Sequence, residues 1–545
     1  MAAIELALAL LLAVLVSGYV VRALPVPVPL PIVQIALGWI ISRFLHHGVE
    51  LRPEVFFLLF LPPLLFVDGW RISKEGLLRD KGAIVQMAFG LVLFTVIGAG
   101  YLIHWLIPAM PLAVAFALAA IVSPTDPVAV SSIGAHAPVP KRMMHILEGE
   151  SLLNDASGLV CFRFAVVAVL TGSFSPGLAA LTFAWVALAG LACGVALTLA
   201  VAFVQQRVTR RFGQVDGSPI LVNLLTPFGA WLLADALHAS GILAAVAAGV
   251  TMSYVELTGR AMAKTRVERA AVWTTIQFAL NGVMFVLLGE QLPRIVRGAV
   301  ATMQQSGHRN PSWLLVYALA VTFGLAVLRL VWVWVSLRIY AVRRRRAGDP
   351  LKNTGWRVVL ATTLAGVRGA ITLAGILTLP FLLPDGRPFP VRDLAIFIAA
   401  AVIIFSLAAA SIGLPPLLRG LQQPLESGAG QEADRARAMA ARAAIDAVRN
   451  AHHEMQQSAP ADAGICAGAA SRVITLYRRR IHDGMFEDTD AEQLRRSDVI
   501  ERKLRLVALE HERKEILAMT LGHRISEETS RRLLRDIDLV EMLYR

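Results

Sequence analysis

Three short stretches place charged residues where the surrounding chain is almost wholly apolar: "SPTDPVAV" (Ser123 to Val130), "EGESLLNDASGLV" (Glu148 to Val160) and "GVRGAITLA" (Gly366 to Ala374). In the first, Asp126 stands between Pro124 and Pro127, each of which removes a backbone donor and interrupts a helix. The second holds Glu148, Glu150 and Asp155 and runs straight into "VCFRFAVVAVL". In the third, Gly366 and Gly369 flank Arg368. Carboxylates, hydroxyls and freed backbone carbonyls are hard oxygen ligands, suited to an alkali cation and not to a soft metal. On a helix, Ser151 and Asp155 are four apart and share a face. Asn154 points about 100° away from Asp155, so the two cannot meet one ligand in the same way. One division of labour is Asp155 toward a cation and Asn154 bonded to the broken backbone around Asp126. Glu150 lies five residues before Asp155, about 140° round the helix, and needs a partner of its own.

The elements that position these residues must lie in lipid. Of 545 residues, 56% are hydrophobic and 17% charged, against about a quarter charged in soluble proteins. Apolar blocks long enough to cross a bilayer, roughly 20 residues each, recur from Met1 to about Arg419. The first block carries Glu5 and lacks a basic leader, so it is expected to be a retained helix and not a removed signal peptide. Intramembrane ionisable groups face a cavity or a partner. Besides the residues above, Asp68, Arg163 and Arg329 lie within the blocks, with Asp235 and Glu290 nearer their ends.

The expected fold is an all-α polytopic membrane protein of about 13 transmembrane helices. Expected spans lie near 2–20, 25–46, 53–70, 82–107, 111–134, 147–170 and 177–204, then 218–236, 239–255, 271–291, 312–337, 355–383 and 393–418. They divide as six, a linker and six, which gives two halves of opposite topology, and "SPTDPVAV" and "GVRGAITLA" both fall in the fifth span of their half. Inverted repeats with interrupted helices in matching positions are a transporter signature. Basic residues outnumber those of the other face about threefold on the side holding "RIYAVRRRRAGDPLKNTGWR". That places the N-terminus outside and the tail in the cytoplasm of a cell (inner) membrane protein.

The net charge of +13 is not a nucleic-acid footprint, because from Leu421 onward 20 Lys and Arg stand against 21 Asp and Glu. The excess belongs to the membrane segments. The chain is read as a transmembrane domain over 1–420 and a soluble helical domain over 421–545, whose "EADRARAMAARAAIDAVRNAHHEM" is amphipathic. Cys161, Cys193 and Cys466 are far apart and imply neither a disulfide framework nor a metal cluster. There is no P-loop and no nucleotide-binding fold, so the expectation is no enzyme activity and no cofactor, with coupling to an ion gradient. Two other readings compete with cation transport. An ion channel or ion-gated sensor would show a pore loop, which is not found. A broken-helix symporter of an organic anion would need a net positive crossing, whereas Asp126 and Asp155 make this one acidic.

The three stretches, together with "HASGILAAVAAGV" (His238 to Val250) and "FALNGVMFVLLG" (Phe278 to Gly289), resemble in order the signatures of the monovalent cation:proton antiporter-1 family, the sodium/proton exchangers. The resemblance implies antiport of Na⁺, with K⁺ or Li⁺ in some members, for H⁺. It also implies electroneutral exchange serving pH and cation homeostasis, a homodimer, and a core domain that moves against a scaffold. Carried over by residue, it makes Asp155 the ion- and proton-binding carboxylate with Asn154 beside it. Asp126 and Thr125 fall at the unwound crossing, Ser151 adds a ligand, and Glu150 pairs with Arg368. The alkali cation is expected at Asp155, Ser151 and Thr125. One departure stands out: where many relatives read "LPPLLFE", this chain has Val67 at the acid position and Asp68 one place later. A step of one residue turns a helical side chain about 100°, so the acid's role is not carried to Asp68.

Overall fold

In lipid every backbone polar group must be satisfied within its own segment, which favours helices throughout. The computed structural model obeys this. It describes residues 2–25, 28–44, 53–72, 81–127, 130–131, 139–172, 176–213, 215, 217–257, 263–305, 310–346, 355–419, 427–458, 463–482, 488–521 and 527–544. Among the described residues there is no β-strand, only an isolated bridge between Leu382 and Pro388. The chain divides into two compact units, Met1–Gln422 and Gln423–Arg545.

The first unit is built from α1 (Ala2–Ala23), α2 (Leu30–Phe44), α3 (Pro53–Arg71) and α4 (Lys81–Val85), which passes through a π-helical turn, Gln86–Gly90, into α5 (Leu91–Leu106). Then follow α6 (Leu112–Val122), α7 (Lys141–Thr171), α8 (Pro176–Phe212), α9 (Ser218–Ala236), α10 (Gly241–Leu257), α11 (Ala263–Gln305), α12 (Ser312–Arg346), α13 (Trp356–Leu364), α14 (Ala370–Leu377) and α15 (Arg392–Arg419). Eight helical stretches among the described residues are long and apolar enough to cross a membrane, and Leu30–Phe44, Leu112–Val122 and Gly241–Glu256 are shorter apolar helices. This is a multi-pass membrane protein.

Two interruptions fall where the prolines and glycines direct. The fifth apolar segment stops at Val122, ahead of Pro124, and the twelfth is split between Leu364 and Ala370 around Gly366 and Gly369. Most of the continuation of the fifth segment beyond Pro127 lies outside the described residues, as does most of the basic loop after Arg346.

Glycines set the closest helix approaches, as expected where helices gain no hydrophobic advantage over lipid and must pack by shape. Gly38 of α2 faces the Val286 carbonyl of α11, and in return Gly289 of α11 faces the Ile35 carbonyl of α2. The same reciprocal arrangement joins α3 to α10: Gly69 faces the Val246 carbonyl at 2.6 Å, and Gly249 faces that of Phe66, where the distances are for an added Cβ. At all four positions any side chain would collide with backbone, which cannot swing aside.

The second unit has α16 (Ser427–Ser458), α17 (Ala463–His482), α18 (Asp488–Leu521) and α19 (Glu527–Tyr544). Leu509, Ile516 and Ile537 form an apolar seam between α18 and α19. Arg513 clamps the pair by donating to Asp538 at 2.7 Å and to Glu541.

Candidate functional site: an acidic cavity at two broken helices

A helix that stops inside the membrane leaves carbonyls without intrahelical donors. Two buried arginines meet this need. Arg368 donates from Nε to the Val122 carbonyl at the end of α6, 2.9 Å away, and from Nη1 to the Gly366 carbonyl. Its own amide donates to Ser406 Oγ of α15 at 3.1 Å. Arg329 of α12 donates from Nε to the Thr362 carbonyl in α13 at 3.2 Å. The two breaks also touch directly, the Asp126 amide donating to the Val367 carbonyl at 2.7 Å. Gly369 is required here because a Cβ would enter the space of the Asp126 side chain.

The structure gives Glu150 a partner other than Arg368. Arg329 Nη1 and Nη2 donate to its two carboxylate oxygens at 2.6 and 3.0 Å, and Glu150 and Arg329 are 0% and 2% exposed. The expected Glu150–Arg368 pair is therefore corrected to Glu150–Arg329. The physical reason is the carbonyls freed at the breaks, which take the Arg368 guanidinium. Thr125 Oγ1 adds a hydrogen bond to Glu150 Oε1 at 3.2 Å and accepts one from Asn154 Nδ2 at 3.1 Å. Asn154 thus reaches the break through the Thr125 side chain, not through backbone as the sequence suggested. The Thr125 hydroxyl is tied into this scaffold.

On the opposite side of α7 lies a cavity of about 30 Å³, room for roughly two water-sized occupants. Ser151, Asp155, Thr125 and Asp126 line it, as do Pro124, Gly369, Ile371 and Thr372 of the two breaks. Its other wall comes from α3, with Leu64 and Asp68, and from α11, with Gln277 and Asn281. Asp155 and Ser151 are 3% and 5% exposed. Among the described residues no three of His, Cys, Asp and Glu are grouped tightly enough to hold a resident metal ion. The donor set is mixed carboxylate, hydroxyl and amide oxygen, which fits a loosely held alkali ion. Val67 is fully buried with Phe66 and Trp273 among α3, α10 and α11, while Asp68 reaches the cavity. The sequence reading missed Thr372, Gln277 and Asn281 as wall residues; Asn281, alone and polar within "FALNGVMFVLLG", was the available signal.

Broken helices meeting in mid-bundle at an acidic, oxygen-lined, ion-sized cavity are the arrangement of a membrane ion transporter. The chain belongs to the transmembrane sodium/hydrogen exchanger family, which matches residues 9–420. It is 38% identical over 98% of its length, and 97% of the relative's, to an uncharacterized Na⁺/H⁺ exchanger of Escherichia coli K12. It is 36% identical to a sodium, potassium, lithium and rubidium/H⁺ antiporter of Bacillus subtilis, covering 98% of this chain and 77% of that one. The fold is similar to that of the sodium proton antiporter MjNhaP1 of Methanocaldococcus jannaschii, with a TM-score of 0.56 at 17% identity over 77% of this chain and 99% of that one.

Proposed function

We propose that the protein is a secondary antiporter that exchanges a monovalent cation for H⁺. Na⁺ is the first candidate and K⁺ and Li⁺ follow, as the name of the Bacillus relative suggests. The observation that carries this reading is the cavity at the crossing, where buried Asp155 and Ser151 stand beside Asp126 with no soft ligand near. One carboxylate that takes either a proton or a cation couples the two flows, since it cannot hold both. Asp155 is assigned that role. Asn154 is neutral and engaged with Thr125, so exchange of one cation per proton moves no net charge.

The same reading places the protein in the cell (inner) membrane as a homodimer of 13-span subunits. The N-terminus is outside, and 421–545 is a cytoplasmic tail. The reciprocal glycine contacts support the inverted repeat: α2 on α11 and α10 on α3 are the second span on the tenth and the ninth on the third, which a six-plus-six inversion interchanges. The organic-anion reading loses support because Arg329 and Arg368 are bonded to Glu150 and to carbonyls. The test is a pH-dye measurement in proteoliposomes. Addition of Na⁺, K⁺ or Li⁺ should collapse an imposed proton gradient and choline should not. Large cation currents with no proton movement would replace the antiporter by a channel.

A further inference from the structure

The face of α7 turned away from the cavity rests on the π-helical turn between α4 and α5. In that turn the Leu91 amide donates to the Gln86 carbonyl, five residues back instead of four. Such turns interrupt regular helical bonding and recur at functional sites. Ser157 of α7 meets it. This serine is 7% exposed, and its Oγ donates to the Ala88 carbonyl of the turn at 3.0 Å and to the Asn154 carbonyl of α7 at 3.1 Å. A hydroxyl has one proton, so the two carbonyls share it. The shared proton ties the backbone of Asn154 to the neighbouring helix. Two glycines close the seat: Gly149 admits Ile84, whose Cδ1 would lie 2.8 Å from an added Cβ, and Gly158 admits Pro124 and the Ala120 carbonyl of α6. At about 100° per residue, Asp155 points about 160° away from Ser157 and about 120° away from Gly149. The contact sets the rotation of α7 from behind, while Asp155 and Ser151 line the cavity in front.

We propose that Ser157 is a positioning residue for the cation site, holding α7 against the π-turn so that Asn154 reaches Thr125 and Asp155 faces the cavity. This rests on the antiport reading only in taking Asp155 as the carboxylate that meets the cation. The link is short. Asn154 gives its carbonyl to Ser157 and its side-chain amide to Thr125, 3.1 Å away, and Asp155 is the next residue. A binding constellation has to be held to within about 0.5 Å, by side chains that are themselves locked. Without the hydroxyl the Ala88 carbonyl loses this donor and α7 loses its tie to the turn, so a small rotation suffices to draw Asp155 off the ion.

The experiment uses the purified full-length protein in two assays, with NaCl or KCl varied against choline chloride at constant ionic strength. One measures the cation concentration that half-protects against thermal unfolding in detergent. The other measures the half-saturating cation for dye-reported proton movement in proteoliposomes. Ser157→Ala should raise both by about threefold to tenfold, as expected for a ligand displaced by a fraction of an ångström. The maximal rate should be largely kept, and melting without cation should fall by only a few degrees. Ser157→Cys, with a weaker donor, should shift the half-points the same way by less, and Ser157→Thr, which keeps the hydroxyl, should stay near the parent. Parent-like half-points in Ser157→Ala, whatever its melting point, make the serine a packing residue and overturn the proposal; exchange by the parent would then leave the antiport reading standing. Half-points in Ser157→Thr raised as far as those of Ser157→Ala overturn it too, because the hydroxyl is then not the cause. If the parent moves no protons while Ser157→Ala still weakens cation protection, the antiport reading fails and the positioning stands. If neither cation protects the parent, the proposal falls with the site. Should Ser157→Ala fail to fold, Ser157→Cys carries the test, and parent-like half-points there refute the positioning.

Discussion

The pairing of Glu150 with Arg329 can be tested by a mutant cycle whose outcome the geometry fixes. Both groups are fully buried and meet through two hydrogen bonds at 2.6 and 3.0 Å. Arg329→Met leaves Glu150 with the single hydroxyl of Thr125, at 3.2 Å, as donor. Glu150→Leu leaves Arg329 with the Thr362 carbonyl and no counter-charge. Removing one member of such a pair costs about 3–5 kcal/mol, because the remaining charge is uncompensated, whereas replacing both by apolar groups of similar volume is often near neutral. Each single variant should therefore be strongly destabilised. The double variant Glu150→Leu/Arg329→Met should be less destabilised than the two losses added, with a coupling of at least about 2 kcal/mol. The assay is unfolding in mixed detergent micelles, read with thermal melting of the same samples. A parallel cycle on Glu150 and Arg368 should give a smaller coupling, since Arg368 is bonded to carbonyls. The reasoning fails if Arg329→Met melts like the parent, or if Glu150 couples more strongly to Arg368 than to Arg329.

Four other outcomes are expected. Asp155→Asn should abolish exchange while melting within a few degrees of the parent; full activity would remove Asp155 from its assigned role. Exchange in vesicles clamped at different membrane potentials should run at the same rate, and a clear voltage dependence would rule out electroneutral stoichiometry. Gly38→Leu and Gly249→Leu should prevent stable folding, because each side chain meets backbone of the facing helix, whereas Gly18→Leu, with nothing within 4 Å of an added Cβ, should express and melt like the parent. In the second unit, the hydrogen bond from Lys514 holds the exposed Glu510 carboxyl below its ordinary value of 4.5. Its small contribution is complete above that value and is lost as pH falls through the lowered one. Hydrogen exchange of α18, corrected for intrinsic rates, should speed up on acidification in the parent and less so in Lys514→Met.

The interruptions were readable because proline and glycine act on their own backbone: Pro124 ends α6 wherever the helix lies, and Gly366 and Gly369 do the same between α13 and α14. The partner of Glu150 was not readable. Arg329 is 179 residues away on an apolar helix, and no local pattern says which helix stands beside α7. The carbonyls freed at the breaks were a usable clue, since the Val122 oxygen needs a donor and Arg368 supplies it. Asp155 and Ser151 share the cavity face that their four-residue spacing predicts, because that inference stays within one helix. The far wall comes from α3 and α11, so Gln277, Asn281 and the turn of Asp68 into the cavity depended on tertiary packing. The one-residue offset between Val67 and Asp68 led the sequence reading to withhold the family acid's ligand role from Asp68; the helix packs Val67 in the apolar core and sets Asp68 in the cavity wall.

The four glycines that seat α2 in α11 and α3 in α10 act as dowels. A dowelled joint resists sliding in proportion to how closely the parts fit, and here each backbone carbonyl sits in a notch one residue wide. To slip by a turn, α3 would have to ride its larger neighbours over the Val246 carbonyl, and α2 would have to do the same over Val286. Each pair is therefore held in register, because sliding one helix along its partner would first have to separate the two backbones. The cavity lies between two walls, one with Asp68 and Gln277 and the other with Asp155 and the two breaks. An ion held there would bridge the two walls and tie α3 and α11 to the broken helices.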